Sequence, residues 1–270
     1  MPALTRRAID RLVRIPSEWW AEHQCRRIDQ EDLRPVLQVM DWLRTANPDR
    51  SERQWLQRVY DLYHSKAAEV ANVRVASVTP RWGTFLFGLV RQFRPSAVIE
   101  LGTAYGISSA YLAAALILNG EGGRLMTLEG DRELATQARK NLEAVGLAER
   151  VEVVQGFFQK TLRPLLDRVG TVDMVFIDGH HDEQATLTYT TQCLTHMPRG
   201  GVLVYDDIRW SAGMIRAWKR ICERIERSGG FDFYRMGVLV VPPAGHSTRR
   251  QDQRIWTLRV PWRRRRWNRR

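Results

Sequence analysis

Cysteine is scarce in this sequence, which has three cysteines among 270 residues. Cys25, Cys193 and Cys222 lie far apart and show neither the spacing of a zinc site nor the framework of a disulfide-rich secreted domain. We therefore expect the thiols to be buried or inert, and we expect the protein to reside in the reducing cytoplasm.

Long apolar runs are also missing. The longest, AYLAAALIL from Ala110 to Leu118, is too short to cross a bilayer and is followed by the polar stretch NGEGG. The first twenty residues contain no continuous apolar segment and no small-residue cleavage site, which argues against secretion. We predict a core helix over the apolar run and no transmembrane span.

Acidic residues are outnumbered by basic ones, which gives a formal net charge of +12. Most of the excess lies in residues 249–270, where ten arginines and one aspartate leave only +3 for the rest of the chain. Trp256, Trp262 and Trp267 alternate with these arginines, a mixture that suits an anionic membrane surface at the inner face of a membrane and, less well, a nucleic-acid backbone. We treat 248–270 as a basic tail, with a solvated and weakly ordered segment as the equally weighted alternative.

Residues 1–80 have the periodicity of helices. Two amphipathic stretches are separated by TANPDRSE, in which Ser51 is the predicted N-cap of the second helix. We predict an N-terminal helical cap that packs on its own domain, with a homo-oligomer contact as the alternative. The periodic apolar positions are Val36, Val39, Met40 and Leu43, followed by Leu56, Val59, Tyr60 and Tyr63.

After residue 97, short β-branched segments alternate with helical ones. Nearly continuous apolar strands between helices are typical of a parallel sheet covered on both faces. The segment 231–241, with Gly237 at its centre, favours two antiparallel strands at one edge. We predict an α/β, Rossmann-like, doubly wound and mostly parallel seven-stranded sheet within a domain at 81–247. The five parallel strands are AVIEL (97–101), RLMTLE (124–129), RVEVVQ (150–155), DMVFID (173–178) and GVLVYD (201–206).

Four of the predicted strands end on or beside a carboxylate. Ligands of open α/β sheets bind beyond the carboxyl ends of the strands, so these acids should converge on one crevice. Any one of them alone would more often be a helix N-cap or a loop ion pair, but four together favour a site. The acids are Glu100, Glu129, Asp178 and the adjacent pair Asp206 and Asp207.

The segment VIELGTAYGISSAYLA has the strand, glycine turn and helix of a nucleotide-binding unit. Gly102 and Gly106 are separated by three residues, which departs from the G-x-G-x-x-G pattern of dinucleotide sites. Glu100 would repel a pyrophosphate at the loop and instead suits a ligand with a cationic amine. S-adenosylmethionine has such an amine, and it has a ribose diol that Glu129 can bind through both hydroxyls.

With IELGTAYGISS as a first motif and LEGD as a ribose-binding segment, the sequence resembles class I S-adenosylmethionine-dependent methyltransferases over about residues 75–241. Within them it is most similar to the small-molecule O-methyltransferase branch with the catechol and macrolide-sugar enzymes. SVTPRWGTFLFGLV (77–90) resembles the segment with which that branch covers its cofactor, and the alternative is a plain amphipathic helix. The resemblance implies cofactor contacts from Gly102, Thr103, Tyr105, Gly106, Ser108, Gly156, Phe157 and Asp178.

Asp178, Asp206 and Asp207 supply hard oxygen ligands suited to Mg²⁺. They match the metal positions of the Mg²⁺-dependent members, although catechol-type enzymes have Asp-Asn where this chain has Asp206 and Asp207. His181 matches the histidine proposed as the base in macrolide-sugar enzymes, and a histidine can take the proton of the acceptor hydroxyl. The neighbouring His180 is less favoured as the base because its position does not match the family motif. The alternative is a polar loop in which Asp178 contacts only the cofactor and no metal binds.

Together these observations predict an S-adenosylmethionine-dependent, Mg²⁺-assisted O-methyltransferase that acts on a hydroxyl of a small molecule such as a sugar, a glycoside or a phenol. One alternative is a methyltransferase whose membrane-bound or nucleic-acid substrate is held by the basic tail. Another is a non-catalytic binding protein on the same fold, which the presence of His181 beside three strand-end acids argues against.

Overall fold

A mostly parallel sheet lies at the centre of this computed structural model, which describes residues 34–45, 48–120, 122–225, 229–244 and 255–257. Its strands are β1 (Ala97–Leu101), β2 (Arg124–Glu129), β3 (Val151–Gln155), β4 (Met174–Ile177), β5 (Gly201–Tyr205), β6 (Gly229–Asp232), β7 (Gly237–Val241) and β8 (Ile255–Thr257). Among the described residues, their order across the sheet is β3-β2-β1-β4-β5-β7-β6-β8.

The helices cover both faces of this sheet. Two apolar clusters, one on each side of the sheet, bury its alternating side chains completely or almost completely. The helices are α1 (Arg34–Thr45), α2 (Arg50–Glu69), the short α3 (Val73–Ala76), α4 (Pro80–Phe93), α5 (Ile107–Asn119), α6 (Arg132–Ala144), α7 (Phe158–Val169), α8 (Glu183–Leu194) and α9 (Ala212–Arg224), with a 3₁₀ turn at Ala148–Arg150. None of the described helices is long and apolar enough to span a bilayer.

The parallel core of the sheet grows in two directions from its centre. β1 pairs in parallel with β2 on one side and with β4 on the other. The loops that follow β1 and β4 therefore leave the same sheet edge toward opposite faces and open a crevice between them, the usual ligand position in such sheets. The predicted doubly wound fold is confirmed.

The predicted strands agree closely with the observed ones. AVIEL and RLMTLE are strands over the predicted residues, the third and fifth strands are one residue shorter at one end, and the fourth is one residue shorter at each end. The segment around Gly237 forms the antiparallel pair β6 and β7, with β7 antiparallel to β5 as well. Part of the predicted basic tail forms an additional edge strand, because Ile255–Thr257 pairs in parallel with β6. Residues 258–270 lie outside the described residues.

The N-terminal helices pack on the sheet domain. α1 packs against α4, where Trp42 stacks on Phe87 with ring centroids 6.1 Å apart, and α2 packs against α5. The prediction that Ser51 caps α2 is wrong. Asp49 is the N-cap, since its carboxylate accepts the Glu52 N–H at 2.8 Å and the Glu52 carboxylate accepts the Asp49 N–H at 3.0 Å. This reciprocal pair satisfies two backbone donors, which a single serine hydroxyl would not do.

Two buried helices, α4 and α5, form most of one face of the core. The apolar run at Ala110–Leu118 lies in α5, as predicted, and is buried from Ala110 to Leu116. α4 is also buried around most of its circumference and leads into β1. The two helices approach closely because Gly83 has no side chain: a Cβ there would lie 2.2 Å from the ring of Tyr111.

Replacing Gly83 with alanine should therefore destabilise the fold. The new methyl group would force the fully buried Tyr111 ring to move, and we expect the free energy of unfolding to fall by about 1–3 kcal/mol. Urea denaturation would measure the change. Gly213→Ala is the matched control, since a Cβ there would lie 3.5 Å from the Ser211 Oγ and alanine should stabilise α9 by up to about 1 kcal/mol. Equal effects of the two substitutions would contradict the packing argument.

Candidate active site

A cavity of about 290 Å³ opens at the carboxyl ends of β1, β2 and β4. Its wall includes the glycine loop after β1, the end of β2 and the loop after β4. The segment before α4 covers it from the other side through Val75, Ala76 and Ser77. The topology of the sheet thus brings together residues that lie as far apart in the sequence as Val75 and Arg235.

The glycine loop passes very close to the loop after β4. Gly102 has a φ of +107°, and a Cβ at this position would lie 2.1 Å from the carbonyl oxygen of Asp178. Both the left-handed backbone and the lack of space require glycine here. The next residue, Thr103, is buried with its hydroxyl 2.6 Å from that of Thr127, which fixes the loop to β2.

Glu129 lies at the end of β2 with its carboxylate on the cavity wall. One oxygen accepts the Ala104 N–H at 2.8 Å, and the other accepts the Asp131 N–H at 2.9 Å. These two bonds hold the carboxylate in one orientation. Each oxygen retains a further acceptor position, so a vicinal diol can still bind to it.

Glu100 is fully buried behind the glycine loop. One of its oxygens accepts a short hydrogen bond from the Ser109 hydroxyl, and the other, Oε1, has no partner among the described residues. Burial raises the pKa of Glu100 to about 7, against the opposing effect of the Ser108, Ser109 and Thr127 hydroxyls. A buried carboxylate with an unpaired oxygen is the donor-deficient site that a cationic amine would complete.

Three side chains converge on the other side of the cavity. Single ligand atoms of Asp178, His181 and Asp207 all lie within 4.8 Å of one another, and the His181 Nε2 is 3.9 Å from an Asp178 oxygen. Burial, followed by the negative charges of Asp206 and Asp207, raises the pKa of Asp178 well above its usual value. Such a cluster gains stability from any cation that enters it.

Asp206 lies apart from this trio. Its carboxylate is fully buried and is bound side-on by Arg235, at 2.8 Å from Nε and 2.7 Å from Nη2. One of its oxygens also accepts the Asp207 N–H at 2.8 Å. The structure thus gives Asp206 a different partner from the metal expected from the sequence, because a nearby guanidinium neutralises it.

The two histidines of the β4 loop face different neighbours. Both have left-handed backbones, with φ of +67° at His180 and +38° at His181. The His180 Nδ1 is 2.9 Å from the Tyr189 hydroxyl, which holds that ring against α8. His181 instead lies beside Asp178, with the exposed ring of Trp210 at a centroid distance of 5.8 Å. The geometry favours His181 over His180 as the group that faces a substrate.

Comparisons with known proteins agree with this geometry. A family model described as a methyltransferase domain matches residues 99–208. Catechol O-methyltransferase of Sus scrofa is 31% identical over 137 residues, which cover 50% of this chain and 72% of that protein. This chain belongs to the class I S-adenosylmethionine-dependent O-methyltransferases.

Other members of this O-methyltransferase family extend the comparison. Catechol O-methyltransferase of Mycobacterium tuberculosis is 34% identical over 149 residues, covering 55% of this chain and 64% of that protein. The chain therefore spans just under two thirds of that relative's length. Among solved structures, an O-methyltransferase from Bacillus cereus in complex with SAH is 26% identical, with a TM-score of 0.54 over 76% of this chain and 96% of that one.

The predicted cofactor residues of this chain fall into two groups. Gly102, Thr103, Ser108, Glu129 and Asp178 line the cavity. The others lie around it without belonging to its wall: Glu100, Tyr105, Gly106, Gly156 and Phe157. Gly106 is the N-cap of α5, and Phe157, 66% exposed, lies against Gly130 at the outer edge. Cofactor contacts from both groups remain predictions.

Two residues of the site, Ser77 and Arg235, were not predicted from the sequence. Ser77 lines the cavity, and its buried hydroxyl has no partner among the described residues. Only the resemblance of 77–90 to a cofactor-covering segment pointed to it, without singling out a residue. Arg235 reaches the acids from the turn between β6 and β7, far along the chain, and no local motif marks it.

The raised pKa of Glu100 should make stability depend on pH. The folded protein holds this proton up to about pH 7, whereas the unfolded chain loses it near pH 4.5, so burial of the charge destabilises the fold as pH rises through that window. Glu100→Gln should remove this loss. Between pH 4 and pH 8, the free energy of unfolding of the variant should therefore rise by up to about 3 kcal/mol relative to that of the wild type. Urea denaturation at both pH values measures it. The exposed Glu143→Gln serves as control, and a pH-independent difference for Glu100→Gln would contradict the assignment.

Proposed function

We propose that this protein transfers a methyl group from S-adenosylmethionine to a hydroxyl of a small phenolic molecule, with the help of a divalent cation. The observation that carries the proposal is the cavity in which cofactor-type residues on β1 and β2 adjoin the trio Asp178, His181 and Asp207. Family membership and the catechol O-methyltransferase relatives support it.

The residues around the cavity fit S-adenosylmethionine. The unpaired Glu100 oxygen and the unpaired Ser77 hydroxyl are a buried acceptor and a buried donor at the end where its amino-acid part would lie. Glu129, already oriented by two backbone N–H groups, would bind the ribose hydroxyls. The cofactor supplies the electrophilic methyl group, and the protein's task is to hold it in line with the acceptor oxygen.

His181 would act as the general base. In the methyl-transfer step the acceptor oxygen forms a bond to the methyl carbon, the carbon–sulfur bond of the cofactor breaks, and S-adenosylhomocysteine leaves. The hydroxyl proton passes to the Nε2 of His181, whose left-handed backbone aims the ring toward Asp178 and the cavity. A neutral hydroxyl is a poor nucleophile, so removal of its proton accounts for a rate factor of about 10²–10⁴.

The acids of the trio fit a divalent cation such as Mg²⁺. Asp178 and Asp207 offer hard carboxylate oxygens within 4.8 Å of each other, and burial with like charges nearby raises the pKa of both. A bound cation would lower the pKa of the acceptor hydroxyl and favour its ionised form. Asp206 was predicted as a third ligand, and its pairing with Arg235 means that it could coordinate only after that pair opens.

A flat aromatic acceptor is favoured over a sugar. Trp210 presents a ring that is 59% exposed beside His181, a surface on which a planar ring can stack. The names of the relatives, which include catechol O-methyltransferases and a flavonoid 3',5'-methyltransferase, point the same way. The adjacent acids Asp206 and Asp207 had suggested macrolide-sugar enzymes, so sugar hydroxyls are the second candidate.

Three further expectations from the sequence concern the location and the partners of the protein. A cytoplasmic location, contact of the basic tail with an anionic surface and a homo-oligomer through the N-terminal helices all remain predictions. Residues 1–33 and 258–270 lie outside the described residues. Cys25 lies there as well, whereas Cys193 and Cys222 are free thiols, buried and partly buried.

Calorimetric titration with S-adenosylmethionine, followed by methylation assays with catechol and with a monosaccharide, tests the proposal. We expect saturable cofactor binding and methyl transfer to catechol in the presence of Mg²⁺. Folded protein that binds no S-adenosylmethionine would refute the function as a whole. Methylation of the sugar alone would replace the acceptor class.

His181→Ala should lower kcat by about 10²–10⁴, because the proton of the acceptor then has no base. His180→Ala is the matched control: it removes an adjacent imidazole that contacts Tyr189, and the loss should be much smaller. The rate of methyl transfer as a function of pH measures both. Equal losses in the two variants would show that the loop, and not the His181 imidazole, is what matters.

A further inference from the structure

Arg235 lies at the border of the acid trio without belonging to any motif of the sequence. Its guanidinium forks the Asp206 carboxylate at 2.8 and 2.7 Å and lies 3.4 Å from an Asp207 oxygen. The side chain also lines the cavity. A positively charged side chain of the protein therefore lies beside the strand-end acids, where a metal ion would otherwise be the expected counterion.

The position of Arg235 is fixed by its backbone. Its carbonyl accepts the Ile208 N–H at 3.0 Å, and its own N–H donates to the Phe233 carbonyl at 2.9 Å. The turn is held again at Asp232, whose buried carboxylate accepts hydrogen bonds from both terminal nitrogens of the Arg209 guanidinium and from the Trp218 indole N–H. The arginine is thus delivered to the acids by an independently anchored hairpin.

The pair that Arg235 forms with Asp206 is difficult to open. Asp206 is fully buried, and all three bonds to its carboxylate come from Arg235 and the Asp207 N–H. A side-on guanidinium and carboxylate match each other in geometry, and a buried carboxylate that loses its partner is strongly destabilised. A divalent cation would have to displace the guanidinium before Asp206 could bind it.

We propose that Arg235 is a positioning residue that withholds Asp206 from the divalent cation and lowers the affinity of the remaining site, which consists of Asp178 and Asp207. The inference rests on the proposed metal-assisted function. It means that this chain binds its cation more weakly than its three strand-end acids imply. The cation affinity is set by the hairpin between β6 and β7 as much as by the ligands themselves.

Titration of the purified protein with Mn²⁺ tests this inference. Electron paramagnetic resonance measures binding as the loss of the signal of free Mn²⁺. Arg235→Gln removes the positive charge and releases Asp206, so we expect Mn²⁺ to bind about tenfold more tightly or better. Adding Asp206→Asn to that variant should reverse most of the gain. Arg199→Gln is the matched control, because Arg199 pairs with the Asp173 carboxylate at 2.9 Å and neither of these two residues lines the cavity.

Unchanged or weaker Mn²⁺ binding in Arg235→Gln would overturn the inference, since Asp206 would then already be a ligand or irrelevant. If the wild type binds no Mn²⁺, gain of binding in Arg235→Gln supports the inference and continued absence overturns it. Arg235→Lys keeps the charge but cannot bind the carboxylate through two nitrogens. Its Mn²⁺ affinity should therefore lie between those of the wild type and Arg235→Gln. If Arg235→Gln does not fold, an Mn²⁺ affinity of Arg235→Lys no higher than that of the wild type would overturn the inference. S-adenosylmethionine titration of the same variants separates this outcome from failure of the proposed function.

Discussion

The pairing of β1 with β4 at the centre of the sheet is the constraint on which the site depends. The two strands leave the sheet side by side, so Gly102 and Asp178 meet almost backbone to backbone. Any side chain at position 102 would push the loops apart and separate the glycine loop from the acid trio. Cofactor residues and acid residues share one cavity because a single hydrogen atom stands where other residues have a Cβ.

Charge is the second organising principle of this edge of the sheet. Parallel strands that end together bring their terminal carboxylates into one volume, where burial and mutual repulsion oppose ionisation. The protein responds in three ways: Glu129 is solvated by backbone N–H groups, Glu100 takes up a proton more readily, and Asp206 is paired with Arg235. Asp178 and Asp207 are compensated less closely, since His181 lies 3.9 Å from Asp178 and Arg235 lies 3.4 Å from Asp207, so these two acids form the natural place for a cation.

Much of this architecture could be predicted from the sequence, because periodicity and strand-end acids are local signals. The doubly wound, mostly parallel sheet, the core helix in α5 and the convergence of strand-end acids on one crevice all follow from such signals. The N-cap of α2 was misplaced because Asp49 and Ser51 are both competent caps and only the reciprocal bond with Glu52 distinguishes them. Arg235 and Ser77 escaped prediction for a different reason: their roles arise from contacts between distant segments, which no local pattern records.

The edge of the sheet connects the C-terminal segment to the acids. Strand β6 pairs with β7 on one side and with β8 on the other, and Asp232, at its end, is paired in register with Thr257. The turn that carries Arg235 begins at the next residue. A single short strand thus connects the start of the arginine-rich tail to the turn whose guanidinium neutralises Asp206.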